Sequence, residues 1–132
     1  LKIHIGRVAL EKFEIYFLDK KHRTEALSLF LFRHRVDWTE EGLAIASWSF
    51  IEQPPVEAVD IKDAYKKCRA IKIDKRSKNP RRGMSIGDVI ISGGNAWMVI
   101  TVGFLKLPDI IWQKTYHLKE GKKNNEKSTG NR

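Results

Sequence analysis

The sequence predicts an α+β domain: a small, mostly antiparallel sheet or partial barrel with two helices and a C-terminal β-hairpin. Three observations lead there. Phe13, Ile15 and Phe17 alternate with Glu14, Tyr16 and Leu18, the two-residue period of a half-buried strand. Ile61, Ala64, Tyr65 and Cys68 recur at i, i+3, i+4 and i+7, the apolar stripe of an amphipathic helix. Two β-rich runs, Ser85–Ser92 and Ala96–Val102, flank Gly93-Gly94-Asn95, residues that tolerate the positive φ of a tight turn.

Taken in order, residues 3–10 are β-rich and lead into the strand at 13–18. A polar turn, Asp19 to Arg23, then precedes a run from Glu25 to Arg35. Leu27, Phe30, Leu31 and His34 have helical spacing there, with Thr24 placed as N-cap. Leu29 and Phe32 make that run apolar nearly all round, so a buried strand is the alternative. Asp37 to Gly42 reads as a turn and Leu43–Ile51 as a strand, which Gln53-Pro54-Pro55 should break because proline lacks the ladder donor.

The helix over 61–68 has Asp60 as candidate cap and Asp63 in its first turn, where the helix dipole favours an acid. A short strand, Ala70–Ile73, then leads to a cationic loop. After the hairpin, Gly103-Phe104 leads to a closing edge segment over Leu107–Trp112. Residues 1–112 are expected to form one domain and 113–132 a basic, flexible tail.

A chain of 132 residues with 42% hydrophobic content suits one domain with one sizeable core. No apolar run approaches the roughly 20 residues needed to span a bilayer as a helix. The first residues, Leu-Lys-Ile-His, lack a signal pattern, and a single cysteine fits a reducing interior, so the expected location is cytoplasmic.

The net charge of +9 is unevenly held. Residues 75–82 (KRSKNPRR) contribute +5 and residues 113–132 contribute +4, while the rest of the chain is neutral. Lys62, Lys66 and Arg69 recur on the far face of the 61–68 helix and lead into that loop. Helix face and loop could thus form one positive surface with affinity for polyanions. The plainer reading of such charge is solubility.

Arg82-Gly-Met-Ser-Ile-Gly-Asp-Val-Ile, followed by Trp97-Met-Val-Ile-Thr-Val-Gly-Phe, resembles the YodL-like domain family, as does the order of elements from about 13 to 111. Gly83 stands where that family usually has serine. The resemblance implies an α+β fold and a setting in phages, plasmids or conjugative elements. It implies no catalytic residues.

Chemistry-bearing motifs are sparse. His4, His22, His34 and His117 are scattered, and Cys68 has no ligand partner at metal spacing. Ser85 lies outside any Gly-x-Ser-x-Gly elbow. Gly93-Gly94-Asn95 joins two strands where a phosphate loop would open a helix. Asp88 is the carboxylate of most interest, although an acid after glycine at a strand entry usually bonds the amides of its own turn. Cys68 reads as a small core residue.

The expectation is therefore a non-enzymatic accessory protein of a phage or mobile element, without cofactor. It would bind nucleic acid (DNA or RNA) or a nucleoprotein, with little sequence preference, through Lys62, Lys66, Arg69, Lys75, Arg76, Lys78, Arg81 and Arg82, with the tail from Lys114 adding affinity. Base stacking would fall to Trp97, Trp48 or Trp38, unless these are core. The alternative is an adaptor whose basic loop meets an acidic protein surface and whose hairpin adds a strand to the partner.

Overall fold

The computed structural model describes residues 9–31, 36–69 and 83–119. A six-stranded open sheet runs through it: β1 (Glu11–Leu18), β2 (Ser49–Ala58), β3 (Val89–Ser92), β4 (Asn95–Ile100), β5 (Gly103–Leu107) and β6 (Tyr116–Lys119). Their spatial order is β5-β4-β3-β1-β2-β6. Every neighbouring pair is antiparallel except β2 and β6. The fold is α+β, as expected, and the sheet stays open at β5 and β6.

Four α-helices lie among the described residues, where the sequence suggested two: α1 (Arg23–Phe30), α2 (Glu41–Ala46), α3 (Ile61–Arg69) and α4 (Asp109–Lys114). None is long and apolar enough to cross a membrane. The sheet separates two cores. On one face Leu18, Phe30, Ile45, Trp48, Phe50 and Met98 pack together, with Ala26 and Ile111 bringing in α1 and α4. On the other, Phe13, Ile15, Ile90 and Val99 pack under Ala64 and Cys68 of α3.

Local chemistry explains where the elements depart from expectation. The helix at α1 forms, but Asp19 opens it through a preceding 3-10 turn at Lys20–His22, so Thr24 is not the cap. Its buried residues are Ala26 and Phe30, with Leu29 packed against the core, whereas Leu27 and Leu31 are exposed. The remainder of that expected helix, 32–35, lies outside the described residues, as do 3–8 of the β-rich run expected over 3–10 and the expected strand at 70–73, while Ala9 and Leu10 are not strand.

Leu43 to Ala46 is helix α2, not the start of a strand, and β2 begins only at Ser49. Asp37 nucleates α2: its carbonyl accepts from the amides of Glu40, Glu41 and Gly42, and its carboxylate bonds Thr39. Ile111 packs closely on Gly42, where a Cβ would lie 3.2 Å from the Ile111 Cδ1 and would push it aside by a few tenths of an ångström.

Pro54 and Pro55 do not end β2, which continues to Ala58. Phe13 pairs with Val56 but Ile15 with Gln53, so β2 carries one extra residue at the prolines. Among the described residues, β6 pairs with Ser49–Glu52 only. A bulge against β1 accommodates the prolines, because its extra residue takes no part in the ladder.

The hairpin is a two-residue turn in which Gly93 (φ 59°) and Gly94 (φ 81°) both adopt the positive φ that a type I′ connection needs. β4 ends at Ile100 and turns at Thr101-Val102 into β5, so Gly103–Leu107 is a strand of its own. Residues 109–114 form α4 where an edge segment was expected, after Pro108, a helix-start signal. The fold also extends past 112: Tyr116–Lys119 pairs with β2 as β6, and only 120–132 of the expected tail lies outside the described residues.

A buried joint ties these parts together. The turn Ser85–Asp88 is closed by the Asp88 amide on the Ser85 carbonyl (3.0 Å), with Gly87 at φ 98°. A Cβ on Gly87 would come within 2.7 Å of the Leu18 Cδ2, so glycine is required twice over. Asp88 is fully buried. Its Oδ1 accepts from the Leu18 amide (2.8 Å), its Oδ2 from the Ser85 amide (2.8 Å), and Arg23 Nη2 lies 3.3 Å from Oδ1. Arg23 also donates to Ser85 Oγ, Ile86 O and Leu18 O. Asp88 therefore has a structural role, bonding the amide of its own turn and that of a distant strand.

Asp88→Asn places an amide NH2 among these donors and removes the charge facing Arg23. It is expected to cost about 3 kcal/mol of stability, read as a lowered urea midpoint with unchanged secondary structure in the folded baseline.

Two histidines make stability pH-dependent. His22 stacks on Trp48 (6.1 Å, 21°), and its Nε2 is buried without a hydrogen-bond partner among the described residues. Burial, then Lys21, hold its pKa below the ordinary 6.5, against the opposite pull of Asp19 and Glu25. His117 packs on Trp112 and Tyr16, and burial lowers its pKa against the opposite pull of a hydrogen bond to the Trp112 backbone and of Glu52 and Glu14. The Thr115 hydroxyl donates to the Trp112 carbonyl (2.6 Å), and its oxygen lies 2.7 Å from His117 Nε2, a contact whose direction depends on the imidazole tautomer.

Both folded-state pKa values lie below the unfolded one, so the unfolded chain takes up protons first as pH falls. Stability is full above 6.5 and declines as pH drops from there toward the depressed values. The urea midpoint should be lower at about pH 5.5 than at about pH 7.5, and His117→Gln should narrow the difference.

Candidate nucleic-acid interface

Helix α3 is set at its N-terminus by a reciprocal cap. Asp60 Oδ1 accepts from the Asp63 amide (2.8 Å), and Asp63 Oδ2 accepts from the Val59 amide (3.0 Å). The Val59 bond, with Lys67 and Lys66 nearby, holds the Asp63 carboxyl below its ordinary range. Burial of Ala64 and Cys68 then fixes the rotation of the helix over β2 and β3.

That rotation sorts the cations. Lys67 turns back to the Glu57 carbonyl (2.8 Å) and to Asp63 (3.5 Å). Lys62, Lys66 and Arg69 point the other way, toward β4 and β5, and line one wall of a groove of about 410 Å3. The facing wall is Val99, Ile100 and Gly103.

Two half-buried aromatic side chains complete the groove. Tyr65 comes from the shoulder of α3 and Phe104 from β5, where it pairs with Val99 on the face covered by α3. Their ring centroids are 5.7 Å apart with planes at 87°. The Arg69 guanidinium lies 5.7 Å over the Tyr65 ring, within cation–π range. Thr101 also lines the groove, but its hydroxyl is committed to the Phe30 and Leu31 carbonyls.

Of the eight predicted cations, the structure gathers Lys62, Lys66 and Arg69 on one wall. Lys75, Arg76, Lys78, Arg81 and Arg82 lie outside the described residues. The residues flanking that segment do meet: a Cβ on Gly83 would lie 3.4 Å from the Arg69 carbonyl oxygen. The chain therefore leaves and re-enters the described fold at the Arg69 end of the groove.

The expected aromatic candidates fare differently. Trp48 is wholly buried and donates its Nε1–H to Glu25 (2.7 Å). Trp38 packs against the core, and Trp97 sits half-buried within β4. Tyr65 and Phe104 were missed as a pair. Tyr65 carried a local signal, since Arg69 follows it by one helical turn, but Phe104 joins it only through the β4–β5 register. The hairpin of β3 and β4 also has no free edge for a partner, because β1 and β5 flank it.

A second depression, about 330 Å3, is bordered by Lys12, Glu14 and Glu52. Nearby, burial and then the charges of Glu14 and Glu52 push the Tyr16 pKa up to about 12. Such carboxylates repel phosphate, in contrast to the cations that line the α3 groove. Among the described residues no group of three or more His, Cys, Asp or Glu is placed to hold a metal. Comparison with family models, with curated proteins and with solved structures finds no match to this chain.

Proposed function

We propose that this protein is a non-enzymatic accessory protein that binds nucleic acid, largely without sequence preference, through the α3 groove and the basic run at 75–82. One observation carries the reading: Lys62, Lys66 and Arg69 converge on one wall of an aromatic-lined groove, and none of the described residues lining it is acidic. The concentration of +5 in residues 75–82 supports it, since that run lies in the sequence between Arg69 and Gly83, two residues that adjoin. Cations on such a wall bind phosphates and release counterions, which gives affinity without reading bases.

The absence of an enzymatic role is part of the same proposal. Asp88, the carboxylate with most claim to chemistry, is occupied by backbone amides and Arg23. The resemblance to YodL-like domains is consistent with work in a phage or mobile element.

Titration of a labelled oligonucleotide at two salt concentrations tests the reading. Binding should weaken as salt rises. The Lys62→Ala/Lys66→Ala/Arg69→Ala variant should flatten the slope of log K against log salt by about 2. No detectable DNA or RNA binding at about 50 mM salt would overturn it.

A further inference from the structure

We infer that the groove seats an unstacked base of a single strand, with Phe104 and Tyr65 as its stacking platform and Lys62, Lys66 and Arg69 holding the adjoining phosphates. This rests on the nucleic-acid reading and goes further, because it selects single strands over duplex. Phosphate contacts alone need only a convex basic face, and the lysines on α3 would supply that without a groove.

A cavity of about 410 Å3 beside those cations has the size of a small-ligand site. Its aromatic rings stand at 87° to each other, so a flat ring parallel to one meets the other edge-on, both favoured geometries. Arg69 over the Tyr65 ring offers a further planar group against which a base can stack.

The chemistry of the lining also sets what is not read. Among the described lining residues none is Asn, Gln, Asp or Glu, the usual partners of adenine and cytosine edges. The Thr101 hydroxyl is engaged elsewhere. Stacking is tolerant of sequence because every base has a π-face. A duplex keeps its bases stacked internally and cannot enter, so it is left with the phosphate contacts alone.

The experiment compares a labelled oligothymidylate of about 12 nucleotides with a duplex of equal length, at about 50 mM salt, using the full chain and its Phe104→Leu and Phe104→Trp variants. Leucine keeps an apolar side chain at this half-buried position but removes the π-face. Single-strand affinity should fall roughly ten-fold in Phe104→Leu and be retained in Phe104→Trp, with duplex binding unchanged in both. Circular dichroism verifies that the variants fold.

Equal affinity of the parent protein for single strand and duplex, or a folded Phe104→Leu that binds the single strand as the parent does, overturns the stacking platform and leaves the nucleic-acid reading standing. Failure of the parent to bind either form removes both. If Phe104→Leu does not fold, Tyr65→Leu takes its place in the comparison with the same two outcomes.

Discussion

A carboxylate with no surface open to water, Asp88, holds the two halves of the sheet together. The strands β5, β4 and β3 join β1, β2 and β6 along a seam of three register pairs, Glu14 with Ile91, Ile15 with Ile90 and Tyr16 with Val89. Beyond Tyr16 the backbone ladder stops, and the Asp88 side chain takes over by accepting from the Leu18 amide. Removing a carboxylate from water costs several kcal/mol, and only a full set of donors offsets it. Leu18, Ser85 and Arg23 supply them. Arg23 opens α1, so one residue fixes a strand end, a turn and a helix start. Gly87 lets the turn pass under Leu18 without a clash.

The candidate site depends on this joint at one remove. Helix α3 rests chiefly on β2 and β3, on both sides of the seam, whereas Phe104 and the facing wall belong to β4 and β5. The groove is the space left because a nine-residue helix covers only the middle of the sheet. Its width is therefore set by how the halves meet. Its charge comes from the rotation of α3, which the burial of Ala64 and Cys68 decides. Lys67 on the same helix is spent on Glu57, which shows that cationic composition alone does not define the wall.

Local patterns were legible where one period dominated. The stripe of α3, its Asp60 cap, the alternation in β1 and the Gly93-Gly94 turn could all be read from neighbouring residues. Leu43 to Ala46 could not, because four apolar residues fit either period and a cluster of amides on the Asp37 carbonyl decided for helix. The prolines of β2 were misread because their cost depends on which strand lies alongside, a fact of topology. At the site, spacing alone exposed Lys62, Lys66 and Arg69. The Tyr65–Phe104 corner was hidden, since it joins residues of two elements that meet only once β5 folds back on β4. Asp88 was correctly read as bonding within its own turn, but its long-range bonds to Leu18 and Arg23 carry no local signature.

Ligand contact at the Tyr65–Phe104 corner is the central claim, and resonance mapping reaches it directly. Titration of the isotopically labelled protein with a short single strand, followed by amide and aromatic NMR shifts, reports which ring and which backbone sense the ligand. The account predicts that the largest shifts fall on the Tyr65 and Phe104 rings and on amides of 62–69 and 99–104, with the Trp48 indole unmoved. Shifts confined to the edge at β6, or to the depression beside Glu14 and Glu52, would contradict it.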